Sequence, residues 1–232
     1  MKRIKLFEQF VSERKIQRSP VDTINTAPEQ VQIDYIKRNR SGLEFIDNPS
    51  EKVQLTAVRK DPHQIKYIKN PSEKVQLTAV KKDPKKIYKK GYTKDDSLFD
   101  NAIQHIPNPS EKVQLAAVSL YGEAIKHIKN PSEKIKLTAV QTFGNSIRYI
   151  KNPTEEMQRI AVSHTELDHG TPIKYIKNPS EEIQLIAVNF RPYTIKHIEN
   201  PTEKVQIAAV SKKPDAIKYI KNPTNKVKQL AK

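Results

Sequence analysis

Apolar and polar positions recur along this chain in blocks of 22 residues. Each block opens with Asn-Pro, continues with a string such as Ser-Glu-Lys-Val-Gln-Leu-Thr-Ala-Val, and closes with one such as Ile-Lys-Tyr-Ile-Lys. The Asn residues of these pairs are Asn48, Asn70, Asn108, Asn130, Asn152, Asn178, Asn200 and Asn222. Two intervals are longer, at 38 and 26 residues, which indicates insertions. A short fixed period predicts a stacked repeat protein.

The first half of each block predicts a helix of about ten residues. In one block, Asn48 is placed at the N-cap, Pro49 at the first helical position and Glu51 at the third. Asn can accept a hydrogen bond from a free backbone amide there, Pro needs no donor, and Glu completes an arrangement like a capping box. The apolar positions cover a wide arc, which is typical of a helix packed between two neighbours.

The second half of each block is shorter and predicts a brief α or 3-10 helix. Asp61 is its expected N-cap and Pro62 its first residue. Ile65 and Ile68 are one turn apart and are expected to face inward, with Lys66 outward. Helices this short do not persist alone in water, so each block must bury its apolar side chains against the next.

We therefore predict an all-α fold, a right-handed α-solenoid of about nine stacked 22-residue units, each a long helix plus a short α or 3-10 helix. An N-terminal capping helix and a divergent half-repeat are expected in residues 1–26. Tandem helical repeats occupy 27–221, with insertions near 85–100 and 163–170, and a C-terminal capping helix occupies 222–232. Caps at both ends favour a monomer over end-to-end fibres.

The string Val-Gln-Leu-x-Ala-Val is similar to the helical half of HEAT-like and leucine-rich-variant repeats. The alternation of long and short helices also resembles leucine-rich-variant repeats, although Gln replaces Arg and the unit is slightly shorter. The Asn-Pro-Ser-Glu string resembles tandem-repeat proteins of bacteria, phages and large viruses. These resemblances imply architecture only, because such folds serve as scaffolds, inhibitors and nucleic-acid binders alike.

The composition excludes several kinds of site. Without Cys there are no disulfides, thiolate zinc sites or cysteine nucleophiles, and five unclustered Gly leave no P-loop or dinucleotide motif. His164, Asp168 and His169 could ligate a metal, but no second cluster completes four ligands. We expect no cofactor, no metal and no enzyme activity. With no apolar run near about 18 residues and no secretory signal, we expect no membrane partner and a cytoplasmic location, in the host if the protein is viral.

Positive charge is concentrated in one part of the chain. The net charge is +16, and residues 52–94 carry +10 of it. Much of this charge lies between first and second helices, where both insertions also fall. We call this inter-helix region the rim, and a variable rim is often the binding face of a solenoid. The basic rim comprises Arg59, Lys60, Lys81, Lys82, Lys85, Lys86, Lys89, Lys90 and Lys94, and the aromatic rim comprises Tyr121, Phe143, Phe190, Arg191 and Tyr193.

A second candidate surface is a column in the short helices, where a basic residue precedes a ring. Interleaved cations and rings can bind phosphates and stack bases. The alternative is that the rings close the edge of the core while the cations face water. We call this set the basic–aromatic column: Lys66, Tyr67, Lys126, His127, Arg148, Tyr149, Lys174, Tyr175, Lys218 and Tyr219.

Two further columns are expected to be structural. A Gln recurs within the apolar arc, as at Gln54, and is expected to bond to a nearby loop carbonyl. A Glu recurs near each helix start, as at Glu51, and is expected to cap the helix and complement its dipole.

Two functions from different classes follow. The first is a non-enzymatic interaction, adaptor or inhibitor protein, whose basic rim binds the acidic surface of a protein or protein–nucleic-acid complex. The second is nucleic-acid binding through the basic–aromatic column, which the total charge favours. The Glu column and the net charge of −2 in residues 152–199 weigh against a continuous track for phosphates.

Overall fold

The computed structural model describes residues 24–83, 101–163 and 171–232. Long α-helices and short 3-10 helices alternate along these ranges, and no β-strand occurs in them. The long helices are α1 (Glu29–Arg38), α2 (Glu51–Lys60), α3 (Glu73–Lys82), α4 (Glu111–Leu120), α5 (Glu133–Thr142), α6 (Glu155–Ser163), α7 (Glu181–Phe190), α8 (Glu203–Lys212) and α9 (Asn225–Leu230). The 3-10 helices are η1 (Gly42–Phe45), η2 (Pro62–Tyr67), η3 (Ala102–His105), η4 (Gly122–His127), η5 (Gly144–Tyr149), η6 (Pro172–Tyr175), η7 (Pro192–His197) and η8 (Pro214–Tyr219).

Successive helical pairs stack on one another within each of two compact units, residues 1–117 and 118–232. In the first unit α1 packs on α2 and α2 on α3, and η1, η2 and η3 contact in the same order. In the second unit α5 to α9 pack in sequence, and η4 to η8 form a parallel row. This sequential packing confirms the predicted all-α solenoid architecture. None of the helices in the described ranges could span a membrane.

The core of each stack is built from equivalent positions of every repeat. In one repeat, Val53 and Val58 of α2 and Ile65 of η2 are fully buried, and Ile68 follows at the end of η2. The same columns continue as Val205, Val210 and Ile220 in a later repeat. Because a β-branched side chain has few rotamers to lose, these repeated Val and Ile positions pack at a low cost in entropy. The inward orientation predicted for Ile65 and Ile68 is confirmed.

The prediction that Asn caps each long helix is wrong. The N-cap is the Ser or Thr two residues later, and the helix begins at the Glu, as where Ser50 Oγ accepts from Val53 N at 3.4 Å. Asn108 and Asn130 instead have φ values of 51° and 49°. Asn tolerates this left-handed conformation better than most residues, so it can turn the chain sharply into the next helix. The hydroxyl of the Ser or Thr two residues later therefore lies closest to the free backbone amides of the first helical turn.

The short segments are 3-10 helices, and the expected Asp cap is confirmed. The Asp61 carboxylate accepts from His63 N at 3.1 Å, and Pro62 begins η2. Asp83 takes the corresponding position before the first insertion. Its carboxylate accepts from Ala102 N at 2.7 Å, so it reaches a backbone amide 19 residues further along the chain. Asp83 therefore contacts the short helix that follows the predicted insertion near 85–100, and the insertion itself lies outside the described residues.

Polar contacts also join consecutive repeats at the starts of the long helices. Ser50 Oγ donates to Glu29 Oε2 at 2.6 Å, and Lys52 Nζ lies 3.3 Å from Glu29 Oε1. The same arrangement joins Glu73 to the next repeat. These Glu side chains therefore accept from the hydroxyl that caps the following helix, a role that sequence reasoning missed when it placed Glu in its own helix cap. The hydroxyl–glutamate links are Ser50–Glu29, Ser110–Glu73, Ser180–Glu155 and Thr224–Glu203.

The recurring Gln is structural, as expected. Gln54 Nε2 donates to the Pro49 carbonyl at 2.8 Å, and Gln76 Nε2 donates to the Pro71 carbonyl at 2.8 Å. The Pro residue lies in the loop before the same helix, so the amide ties the turn to the helix that follows it. A buried loop carbonyl would otherwise lose its hydrogen bond with water, at a cost of about 1–3 kcal/mol.

Gly122 lies where two short helices and a long helix approach closely. A Cβ atom there would be 2.5 Å from the Ala139 carbonyl oxygen and 2.7 Å from Ser146 Oγ. We predict that Gly122→Ala lowers the free energy of unfolding by about 1–3 kcal/mol, because the backbone oxygen cannot move away cheaply. Chemical denaturation followed by circular dichroism measures the change.

Gly42→Ala is the matched control. Its new Cβ would meet Ile36 Cδ1 and Tyr35 Cε1, both at 3.1 Å, which are movable ends of side chains. Its loss of stability should be the smaller one. Equal stability of the Gly122 variant and the unsubstituted protein would contradict the close packing described here.

The inter-repeat carboxylates should make stability depend on pH. Hydrogen bonds from Ser50 and then Lys52 lower the pKa of Glu29 below 4.5, and those from Ser110 and Lys112 do the same for Glu73. A carboxylate with a lowered folded-state pKa stabilises the fold above its unfolded pKa, and this contribution is lost as pH falls through the folded pKa. The melting temperature should therefore fall as the solution is acidified from about pH 5 to about pH 3.

The variant E29Q/E73Q should melt below the unsubstituted protein at neutral pH, and the gap should narrow on acidification. E199Q is the control, since Glu199 is exposed and no hydrogen bond or ion pair is found for it within the described ranges. Differential scanning calorimetry over the pH series measures the effect. A gap that stays constant across the series would show that these carboxylates do not carry the dependence.

Candidate functional site

The basic rim begins at the ends of α2 and α3. Arg59 and Lys60 form the last turn of α2, and Lys81 and Lys82 form the last turn of α3. All four side chains are exposed. Cations at a helix C-terminus also complement the helix dipole. The other predicted members, Lys85, Lys86, Lys89, Lys90 and Lys94, lie outside the described residues.

One of these four cations has a structural role. Lys60 Nζ donates to the carbonyl oxygens of Ile36 at 3.1 Å and Lys37 at 2.6 Å, so it caps the C-terminus of α1. Lys212 Nζ makes the same kind of contact with the Asn189 carbonyl at 2.7 Å. Lys60 and Lys212 thus each tie one long helix to the preceding one, and Lys60 is less available to a partner than its exposure suggests. Lys82 lies at the same position of its repeat, but no such contact is found for it in the described ranges.

The acids closest to the basic rim are already engaged. Asp61 Oδ2 lies 3.1 Å from Arg40 Nε, and Asp83 caps η3 while its other oxygen lies 3.9 Å from His63 Nε2. Within residues 24–83 and 101–117, no acidic partner is found for Arg59, Lys81 or Lys82. The described part of this rim therefore presents uncompensated positive charge.

The aromatic rim separates into a packed part and an exposed part. Tyr121 and Phe143 are half-buried, and Tyr121 Oη donates to Glu123 Oε2 at 2.6 Å. Phe190 and Tyr193 are exposed, with Arg191 half-buried between them. The five residues predicted together are therefore not equivalent, because the first two contribute to packing around η4 and η5.

A buried ion pair connects the rim to the column. Arg148 Nη2 lies 3.2 Å from Glu123 Oε1, and Glu123 is almost fully buried. Burial disfavours the charged form of Arg148, but hydrogen bonds to Tyr175 and Tyr149 and the charge of Glu123 outweigh it and raise its pKa. Tyr121, Glu123, Arg148, Tyr149 and Tyr175 thus form one polar network. Arg148 is occupied within the protein rather than offered to a phosphate.

Several cations of the column also lie against its own rings. Lys66 Nζ is 4.9 Å from the centroid of the Tyr67 ring, and Lys174 Nζ is 4.6 Å from that of Tyr175. Such cation–π contacts are favourable by about 0.5–1 kcal/mol at exposed sites. Arg148 makes the same contact with Tyr149 at 4.6 Å. A base that stacks on the ring face covered by a cation must first displace the ammonium or guanidinium group.

The remaining column members differ in exposure. Lys126 and His127 are half-buried, whereas Lys218 and Tyr219 are exposed. Tyr219 contacts Tyr193 of the rim, with ring centroids 5.9 Å apart at 77°. The sequence analysis treated the rim and the column as separate surfaces, and the contact between Tyr193 and Tyr219 joins them.

The role of Glu123 was not predicted from the sequence. Glu123 precedes Arg148 by 25 residues, which is one 22-residue repeat plus about one helical turn.

No family model, curated protein or solved structure matches this chain. In the described ranges, no group of three or more His, Asp or Glu side chains is placed to hold a metal ion. His164, Asp168 and His169 lie outside those ranges.

The Arg148–Glu123 pair should be energetically coupled. We predict that Arg148→Met lowers the free energy of unfolding by about 1–3 kcal/mol, because it leaves the buried Glu123 carboxylate without its cation. The double variant E123Q/R148M should lose less than the sum of the two single variants. Urea denaturation of the four proteins completes the cycle.

Arg159→Met provides the comparison for that cycle. Arg159 pairs with Glu182 at an exposed position, so its loss should change stability by only about 0–1 kcal/mol. Additive single and double substitutions at positions 123 and 148 would contradict a coupled pair.

Proposed function

We propose that this chain is a non-enzymatic interaction protein, an adaptor or inhibitor, that binds the acidic surface of a protein or protein–nucleic-acid complex through its basic rim. The observation that carries the proposal is the set Arg59, Lys81 and Lys82. These exposed cations lie at the ends of adjacent helices, and their neighbouring acids are engaged elsewhere. A rigid stack holds them in place without a partner, which lowers the entropy lost on binding.

The distribution of charge supports an acidic partner. Residues 52–94 contribute +10 to a net charge of +16. A one-signed patch of this kind speeds encounter with an opposite patch, and added salt weakens the effect. Electrostatic complementarity of this sort contributes mainly to association rate and specificity.

Nucleic-acid binding through the basic–aromatic column is the competing proposal. The total charge supports it. Against it, Arg148 is paired with Glu123, and Lys66 and Lys174 lie over tyrosine rings. Single-strand binding uses ring faces as stacking platforms, and a cation lies against one face of each of these rings. The geometry therefore favours the protein partner.

The resemblance to HEAT-like and leucine-rich-variant repeats implies architecture only, and that architecture is one in which binding proteins occur. The resemblance to Asn-Pro-Ser-Glu tandem-repeat proteins of bacteria, phages and large viruses adds the idea of an inhibitor that blocks a host or defence complex. A monomer acting in the cytoplasm, or in the host cytoplasm for a viral protein, is part of the same proposal. Fold-level resemblance alone does not identify the partner.

We predict that the variant K81E/K82E loses the partner. A tagged chain is used for affinity purification from the native host, with quantitative mass spectrometry of what it retains. Reversing two uncompensated charges should reduce recovery by about tenfold or more at physiological salt, through slower association and repulsion. K129E/K151E makes the same change in charge at exposed loop positions and should retain the partner.

Full recovery by K81E/K82E would show that the wrong surface was chosen. Titration with labelled duplex and single-stranded DNA and RNA at two salt concentrations tests the competing proposal. Use of about six phosphates predicts a slope near −5 in a log–log plot of affinity against salt. Such a slope would favour nucleic acid, whereas binding no tighter than about 10⁻⁴ M at physiological salt would exclude it.

A further inference from the structure

Three exposed rings and two lysines lie near the C-terminal end of the second unit. Tyr193 of η7 and Tyr219 of η8 meet edge to face, with centroids 5.9 Å apart. Phe190 ends α7, three residues before Tyr193. Lys196 and Lys218 place their ammonium groups 5.9 and 5.5 Å from the centroid of Tyr219. We call these five residues the tyrosine–lysine patch.

The rings of this patch are unusually open. Phe190 is 51% exposed, and Tyr193 and Tyr219 are each 41% exposed. By contrast, Tyr149 and Tyr175 of the same row are half-buried. Large exposed rings cost solubility, and Tyr is among the residues that most often carry binding energy at interfaces. Neither the stack nor the helix caps use the exposed surface of Phe190.

The charge beside the rings is positive. No acidic partner is found for Lys196 within residues 118–163 and 171–232, and Lys218 has only Asp215 at 3.9 Å. Lys213 is exposed nearby in the chain, one residue before η8. Burial, followed by the charges of Lys196 and Lys174, lowers the pKa of His197, which is consistent with a local excess of cations. The patch thus combines exposed apolar surface with positive charge that would attract an anionic group.

Two properties of the patch distinguish a peptide from a nucleic acid. Both ammonium groups lie over the Tyr219 ring, and Tyr193 meets the same ring edge to face, so a base stacking on Tyr219 would have to compete with these contacts. Carboxylates can instead pair with the ammonium groups from outside. The exposed rings of Phe190 and Tyr193 each offer apolar surface to an aliphatic or aromatic side chain of the same segment.

We infer that the tyrosine–lysine patch binds a short acidic segment of a partner protein, whose carboxylates pair with Lys196 and Lys218 while one apolar side chain packs on Phe190 and Tyr193. This inference rests on the proposed function, because it assigns an additional contact to the same kind of acidic partner. It differs in chemistry from the described part of the basic rim, where Lys81 and Lys82 are exposed cations at a helix end. A linear segment suits a patch of five side chains better than a large folded interface does.

Selection from a phage-displayed library of random peptides about 12 residues long tests the inference and does not require the partner to be identified first. The full chain is the immobilised target. Selected peptides should be enriched in Asp and Glu around one Leu, Phe or Trp. Binding of a labelled selected peptide is then measured by fluorescence anisotropy against each variant.

Y193A/Y219A removes the two tyrosine rings, and K196E/K218E keeps all three rings but reverses the charge. Each should weaken peptide binding by about tenfold or more, whereas the control K129E/K151E should change it by less than about twofold. Circular dichroism and the melting temperature establish that each variant is folded. The charge variant keeps the test decisive if the tyrosine variant unfolds.

Three outcomes would overturn the inference. They are no enrichment of acidic peptides, selected peptides that bind both patch variants normally, or binding of labelled single-stranded DNA that depends on Tyr193 and Tyr219. K81E/K82E should bind the selected peptide as the unsubstituted protein does. Loss of the host partner by that variant, with no peptide found for the patch, would uphold the proposed function and reject this inference. The opposite result is also informative. If the selected peptide binds the patch and K81E/K82E still recovers the host partner in full, the proposal for the basic rim is rejected and the inference for the patch is upheld.

Discussion

Each helical pair of this protein depends on burial of its apolar side chains by the pairs before and after it. In the described ranges the long helices run to ten residues at most, and the 3-10 helices to six. Such segments are marginal in water, since nucleating a helix fixes several residues for one hydrogen bond. Within each unit, stacked Val, Ile and Ala columns supply the missing stability. The low overall hydrophobicity is sufficient because the apolar residues recur at the few positions that face a neighbour.

Polar contacts give this apolar stack its register. A Ser such as Ser50 accepts from the first turn of its own helix and donates to Glu29 of the previous repeat, so one hydroxyl serves two repeats. Lys60 caps the preceding long helix, and Asp83 caps a short helix across the first insertion. Apolar contacts alone would tolerate sliding, whereas these directional bonds are satisfied in one register. Much of the repeated polar sequence therefore serves the fold.

This structural use of polar groups narrows the search for function. Arg148 is held by Glu123, several Lys lie over tyrosine rings, and the recurring Glu is bonded to the next repeat. What is left over is local rather than periodic. In the described ranges it consists of cations at Arg59, Lys81 and Lys82 for which no acidic partner is found, and of exposed rings at Phe190, Tyr193 and Tyr219. Residues that break the repeat pattern are thus the ones most free to recognise a partner.

The sequence by itself determined the architecture. A 22-residue period, breaks at Asn-Pro and apolar positions on one arc of each helix required stacked helical pairs, because no other arrangement buries such short segments. It also located Asp61 as a cap and Gln54 as a structural amide. Only the tertiary structure decided which hydroxyl caps each helix and which Glu it bonds to. It alone showed that Glu123 holds Arg148 and that Tyr193 meets Tyr219, because these contacts join different repeats and depend on how far one repeat is displaced along the next. A period identifies equivalent positions, but contact distances between them come from the packed backbone.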